Sequence, residues 1–244
     1  MTVTHRFVDA GDARIHYVDC VPAGGSPYPP MLVLPGGPGA SAAFYVRHMR
    51  RLHLDRLGLR QVYVDHRCIG RSTGRLESFR LDRLAEDLER IRKDLGVEQV
   101  GLWGGSFGGF LALTTAATFP ASVAFLVALD TAASAATHLT SATDYVDGHG
   151  TRAQRAAWRR RVEVIDGTRP WDPVEDCVDW ATLWPLYVVR ARLRFGKRLF
   201  AGFSRTLGRW PRLYPTFVRL ARRVGFWHEV CGARWVSEWR SYDV

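Results

Sequence analysis

Ser106 is the residue best placed to do chemistry. It lies in Gly104-Gly105-Ser106-Phe107-Gly108, a G-x-S-x-G spacing. Before it runs the apolar stretch Val100-Gly101-Leu102-Trp103, which reads as a strand. After it, Phe107 to Thr118 reads as a helix ended by Phe119-Pro120. A serine between a strand and a helix, flanked by glycines, sits on a sharp turn that pushes its hydroxyl into the open. Small neighbours are required there because a larger side chain would strike the strand or the helix. The bland alternative is a tight glycine turn with an incidental serine. A serine hydroxyl is a weak nucleophile at neutral pH and needs a base within hydrogen-bond reach.

The elements around that turn follow from periodicity. Residues 5–8 and Arg14 to Val18 read as strands joined by a Gly11-Asp12 turn, and Pro22 to Pro30 is a Gly/Pro-rich loop. Met31-Leu32-Val33-Leu34 and Gln61-Val62-Tyr63-Val64 read as buried strands of a parallel sheet. Residues 42–57 are expected to be helical. Leu81, Leu84, Leu88, Ile91 and Leu95 form one helical stripe, stopped by Gly96. Val123 to Leu129 is expected to be another buried strand, with Asp130 at its end. The alternation predicts an α/β fold with a mostly parallel, doubly wound sheet over 1–134. From 135 to 244 the texture becomes rich in Trp and Arg and is broken by Pro170, Pro173, Pro185, Pro211 and Pro215. That predicts short helices capping the C-terminal edge of the sheet, where open α/β sheets place ligands. Leu186-Tyr187-Val188-Val189 reads as part of a helix.

Composition excludes several classes. With 244 residues, 47% hydrophobic, the chain can bury one large core. No signal-peptide pattern opens it and no apolar run is long enough to span a membrane. Cys20, Cys68, Cys177 and Cys231 form no C-x-x-C pair, so reduced thiols and a cytoplasmic location are expected. There is no metal-ligand spacing, P-loop or dinucleotide fingerprint, so no cofactor is expected. The net charge of +10 comes almost entirely from arginine, since only Lys93 and Lys197 are lysines. Residues 1–134 carry 15 basic and 13 acidic side chains, a net of +2, leaving +8 for the remainder. Residues 190–223 hold eleven basic side chains and no acid. A solvated face explains such a run better than a nucleic-acid surface.

Three motifs together resemble the α/β-hydrolases of the proline iminopeptidase group. Leu34-Pro35-Gly36-Gly37-Pro38-Gly39 is similar to H-G-G-P-G, Asp65-His66-Arg67-Cys68-Ile69-Gly70-Arg71-Ser72 to D-x-R-G-x-G-x-S, and Gly104 to Gly109 to G-G-S-[YFW]-G-G. Pro35 departs from a histidine and Cys68 from a glycine. The resemblance covers roughly residues 10–134. It implies Ser106 as nucleophile and a small-molecule or short-peptide substrate cleaved at an N-terminal residue through an acyl-enzyme. It implies an oxyanion hole from the backbone N–H groups of Phe107 and Gly37, since Pro38 cannot donate.

The acid and base stay open. The family's histidine and acid follow two further strands, and Glu238 to Val244 reads as the approach to the first, so the chain is expected to be truncated. Of eight histidines, His5, His16, His48, His53 and His66 precede the nucleophile and are placed in strands or the first helix. His138 and His149 fall at the cap entrance, and His228 reads as packing or surface. Asp130 is a fallback acid, better read as a helix cap or structural bond, and Asp65 is expected to shape its own loop. Glu163, Glu175, Glu229 and Glu238 are candidates for a substrate ammonium, and Trp158, Trp171, Trp180 and Trp184 for an apolar pocket. Besides the hydrolase, two alternatives stand: a catalytically dead hydrolase-like binding protein, and a basic module using 190–223. Without further strands, Val123–Leu129 would be a bare edge. That predicts marginal stability, poor solubility or a homo-oligomer.

Overall fold

In a computed structural model, described over residues 1–49, 52–187, 209 and 211–223, the sheet has six strands. They are β1 (Thr2–Asp9), β2 (Arg14–Val21), β3 (Met31–Leu34), β4 (Gln61–Val64), β5 (Val100–Gly105) and β6 (Val123–Leu129), in the order β1-β2-β4-β3-β5-β6. The β1–β2 hairpin is antiparallel and packs antiparallel on β4, while β4, β3, β5 and β6 run parallel. Helices α1 (Ala42–Met49), α2 (Leu81–Asp94) and α3 (Phe107–Thr118) cover it.

The short apolar strands are explained by having two buried faces. On β3, Leu32 and Leu34 join Val62, Val64 and Leu102 in a core completed by Leu84, Leu88 and Ile91 of α2 and by Phe110 and Leu111 of α3. Met31 and Val33 point the other way, into a smaller core with Tyr63 and with Ala42 and Met49 of α1. Helices on both faces make the sheet doubly wound. The stripe on α2 is buried at Leu81, Leu84, Leu88 and Ile91, and Gly96, at φ 69°, ends it in the left-handed conformation that glycine accepts without strain.

Two expectations fail. Residues 42–57 are not one helix. α1 ends at Met49, His53 is left-handed at φ 50°, and Leu54–Leu57 is a separate 3-10 turn closed by Gly58 at φ 74°. Two left-handed residues within six positions cannot continue an α-helix. The strand β6 forms, but it is not buried. Leu126, Val127 and Leu129 are 36%, 36% and 43% exposed, because β6 pairs with β5 alone among the described residues. A run of apolar residues reports strand propensity, while burial depends on what lies alongside.

Beyond β6 come α4 (Ala135–His149), α5 (Arg152–Asp166) and α6 (Glu175–Tyr187), then a helix at Tyr214–Arg223. α4 and α5 have fifteen residues each, longer than the proline spacing suggests. Both begin with side-chain caps. Ser134 accepts the Thr137 N–H, and Thr151 with Gln154 forms a reciprocal capping box. Leu186 and Tyr187 end α6 as expected, whereas Val188 and Val189 lie outside the described residues. α4, α5 and α6 share a core of Val146, Ala157, Trp158 and Leu183. Ala135 of α4 and Val164 and Ile165 of α5 nevertheless belong to the main core, so these two helices are packed onto it and not merely tethered to it. Among the described residues no helix is long and apolar enough to cross a membrane.

Candidate active site

Ser106 is the single residue between β5 and α3, with φ 54° and ψ −122°. Few non-glycine residues tolerate that backbone, and it persists only where the surroundings over-determine it. They do so here. The Ser106 N–H donates to the Leu129 carbonyl of β6 at 2.9 Å, which ties the turn to the sheet. Its own carbonyl accepts the Gly109 and Phe110 N–H groups at 2.9 and 3.2 Å, which starts α3. The Thr131 hydroxyl donates to the same carbonyl at 3.2 Å. The Ser106 side chain is left exposed.

The flanking glycines are forced by space. A Cβ on Gly104 would lie 2.1 Å from the Gly108 carbonyl oxygen, and one on Gly108 would lie 2.1 Å from the Leu34 carbonyl oxygen. A Cβ on Gly109 would meet the Thr131 side chain at 2.6 Å. Strand, helix and the loop after β3 therefore approach more closely than any side chain permits.

That loop faces the serine. A Cβ on Gly36 would sit 3.6 Å from Ser106 Cβ and 2.8 Å from the Gly105 carbonyl oxygen. The Gly36 N–H is taken by the Tyr45 hydroxyl at 3.0 Å, and the Pro35 carbonyl accepts from His66 Nε2 at 3.0 Å. Gly37 is exposed at φ 119°, and its N–H makes no hydrogen bond among the described residues. Phe107 opens α3, the end of a helix that presents N–H groups and partial positive charge.

The loop after β4 is a buried polar scaffold. Asp65 accepts the Ala42 N–H at 2.6 Å, the Arg71 N–H at 2.9 Å and His16 Nδ1 at 2.6 Å. A Cβ on Gly70 would fall 2.3 Å from that carboxylate. Asp65 thus holds its own loop and the start of α1, as expected. Arg67, 1% exposed, forks onto Asp87 of α2 at 2.6 and 2.9 Å and reaches Asp12 at 2.7 Å and the Ser78 hydroxyl at 3.1 Å. Burial pushes the Asp87 carboxyl up, opposed by the guanidinium beside it. Burial pulls Arg67 down, but its bonds to Asp87 and Asp12 outweigh that and raise it. The charged pair is the state that satisfies this geometry. Cys68, in place of the family's glycine, is left-handed at φ 64°.

Among the described residues, no histidine and no carboxylate hydrogen-bonds the Ser106 hydroxyl. His66 lies in the loop after β4, not in a strand. Burial lowers its pKa to about 4, so it is neutral and occupied with Pro35, edge-on to the Phe107 ring at 5.6 Å. His5 and His16 bond each other at 2.9 Å. His48 and His149 bond carbonyls one turn back in their own helices. His138 packs edge-on to Phe110 at 6.0 Å, its pKa lowered by burial and by Arg161. Asp130, exposed at φ 48°, directly follows the Leu129 carbonyl that holds Ser106, and it does not cap α4, where Ser134 does. His228, Glu229, Glu238 and Cys231 lie outside the described residues, as does most of 190–223.

In the α4–α6 region, Glu163 is exposed and Glu175 pairs with Arg169 at 3.4 Å. Trp158 is core, its indole N–H on the Thr143 hydroxyl at 2.9 Å, and Trp171 packs on the main core. The Trp180 ring carries the Arg161 guanidinium. The side chain of Trp184 is outside the described set. The buried acids are two that the sequence did not single out, Asp176 on Arg169 and Asp179 forked by Arg160. No metal-ligating cluster occurs among the described residues.

A six-stranded mixed sheet with a positive-φ, exposed serine at the strand–helix turn, facing a glycine loop, defines the class: an α/β fold with one serine presented at the C-terminal edge of its parallel strands. The family model for the alpha/beta hydrolase fold matches residues 29–241, and the chain belongs to that family. It is similar to a probable proline iminopeptidase of Streptomyces coelicolor, 36% identical over 132 residues, which is 50% of this chain and 38% of the relative. It is similar to a proline iminopeptidase of Xylella fastidiosa, 37% identical over 117 residues, 47% of this chain and 35% of the relative. These matches thus span little more than a third of either relative's length. The crystal structure of a proline iminopeptidase from Mycobacterium smegmatis has the same fold, with a TM-score of 0.57 at 22% identity over 86% of this chain and 69% of that one.

Proposed function

We propose that this chain is a serine hydrolase of the proline iminopeptidase kind. Ser106 would attack an amide or ester carbonyl to form an acyl-enzyme, with the Gly37 and Phe107 N–H groups binding the oxyanion. The observation that carries this is the Ser106 turn itself: a serine held at φ 54° and exposed, where Gly104 and Gly108 leave no room for a Cβ. Packing does not account for the strain, because the residue is exposed. It does hold the serine against a loop whose Gly37 N–H makes no hydrogen bond among the described residues. The similarity to proline iminopeptidases supports an N-terminal, proline-like residue as the acyl group. In this reading residues 1–134 are the hydrolase core, residues 135–244 the cap-like region, and the cytoplasm the compartment.

A fluorophosphonate probe tests the nucleophile, and proline 4-nitroanilide tests turnover. Wild type should be labelled on Ser106 and should release nitroaniline, and Ser106→Ala should do neither. Because no described base reaches Ser106, the competing reading is a hydrolase-like binding protein. Absence of both labelling and turnover in wild type would select that reading.

A further inference from the structure

Tyr45, on α1, touches the site from a direction the motifs do not mark. Its hydroxyl oxygen accepts the Gly36 N–H at 3.0 Å. A Cβ on Gly36 would lie 3.4 Å from that oxygen and 3.6 Å from Ser106 Cβ. The phenol oxygen and Ser106 Cβ therefore flank the same Gly36 segment of the loop, together with the Gly105 carbonyl oxygen, 2.8 Å from that Cβ position. Accepting from Gly36 uses a lone pair and leaves the phenol proton, which has no acceptor among the described residues. The ring is fixed edge-on to Trp103 of β5 at 6.1 Å. Burial raises the hydroxyl's pKa, so at neutral pH the proton is present to be donated.

The geometry points to Tyr45 as a third donor of the oxyanion site, a side-chain O–H acting beside the two backbone N–H groups. The inference rests on the reading of Gly37 and Phe107 as oxyanion donors, and not on Ser106 having a base. The Gly36 N–H is spent on Tyr45, so the loop offers its next N–H, that of Gly37, and the phenol that takes the first supplies a donor in exchange. The ligand class is an anionic oxygen on a planar or tetrahedral carbon: the oxyanion during acyl transfer, or the carboxylate of a product.

Benzoate is the probe, because a carboxylate occupies such a site without reaction. Its binding is read from the amide shifts of Gly37 and Phe107 in nitrogen-15 spectra at pH 6.5. Wild type should bind saturably at those amides. Tyr45→Phe should weaken binding about tenfold, the worth of one hydrogen bond to a charged acceptor. Phenylalanine also frees the Gly36 N–H, so a second variant separates the two roles. A 3-fluorotyrosine at 45 is a better donor and a poorer acceptor, and should tighten benzoate two- to threefold, roughly as charge-assisted bonds scale with donor acidity. Failure of fluorophosphonate labelling would remove the hydrolase reading and leave this result standing. The Tyr45 inference is overturned if wild type shows no saturable shift, if Tyr45→Phe binds equally well, or if fluorination leaves affinity unchanged or weakens it.

Discussion

β5, the strand that carries Ser106, has a neighbour on each side, and the two are treated oppositely. Both β3 and β6 are apolar and pair parallel with it, the β6 ladder with a register shift between Val100 and Gly101. Every residue of β3 is buried and Leu32, Val33 and Leu34 are wholly so, whereas Leu126, Val127 and Leu129 of β6 are more than a third exposed. Backbone contacts follow the same division. On the β3 side the Leu34 carbonyl presses into the space where Gly108 lacks a Cβ, at 2.1 Å. On the β6 side a Cβ on Gly105 would meet the Leu129 carbonyl at an ordinary 3.6 Å. Close backbone therefore presses on the turn from the β3 side, whereas the β6 side meets it through the Leu129 hydrogen bond and the Thr131 side chain, 2.6 Å from where a Cβ on Gly109 would lie. Strain in a turn is sustained by the side that cannot yield.

The largest test of that asymmetry uses two glycines three positions apart. Gly108→Ala drives a methyl into backbone that cannot rotate away, and should cost about 4 kcal/mol or prevent folding. Gly105→Ala should cost under about 1 kcal/mol. Urea unfolding of both variants decides it, and equal costs would remove the distinction between the two sides. Leucine truncation is the next largest. Leu34→Ala removes a wholly buried side chain and should cost about 3 kcal/mol. Leu129→Ala removes one 43% exposed and should cost well under half of that.

The β3 side also carries a pH signature. His66 is buried and neutral on the Pro35 carbonyl, with its pKa lowered to about 4 from 6.5. A folded-state pKa below the unfolded one means the stabilisation is complete above pH 6.5. It is lost as pH falls from there through about 4, because the unfolded chain binds the proton first. The shift corresponds to about 3 kcal/mol. His66→Gln should flatten that part of the stability–pH curve while leaving the response of the carboxylates, and a curve unchanged by the substitution would assign the acid sensitivity elsewhere.

Much of the core was legible in the sequence because its signals are local. The α2 stripe with Gly96, the glycine spacing around Ser106 and the Asp65 loop each announce a geometry that short-range sterics enforce. What was not legible is set by neighbours distant in sequence. Val123–Leu129 has the same apolar texture as β3, and nothing in its residues says that only β5 lies beside it. The break in residues 42–57 comes with left-handed backbone at His53, a conformation that histidine adopts more readily than most residues but too rarely to be read from the sequence. Arg67 looked like a motif position, and its role as the buried link between Asp12, Ser78 and Asp87 appears only once three separate segments meet. Tyr45 had no signal at all, since its bond to Gly36 appears only once α1 folds against the loop after β3. The partner of Ser106 was unreadable for the same reason: no described histidine has geometry toward it.

The smallest expected effect probes whether the exposed face of β6 is open in solution. Val127 is 36% exposed and pairs with Trp103. Lysine there can lay its stem along the apolar surface and keep its ammonium in water, so Val127→Lys should cost under about 1 kcal/mol, mostly from lost strand propensity. An exposed apolar edge is also a template for association, and a charge on it opposes that. The variant should therefore be as stable as wild type at low concentration and less prone to self-associate at high concentration. Sedimentation velocity across a hundredfold range of concentration, alongside urea unfolding, reads both. A cost of 2 kcal/mol or more would mean that Val127 is covered in solution, and the contrast between β3 and β6 would then belong to the described residues alone and not to the protein at work.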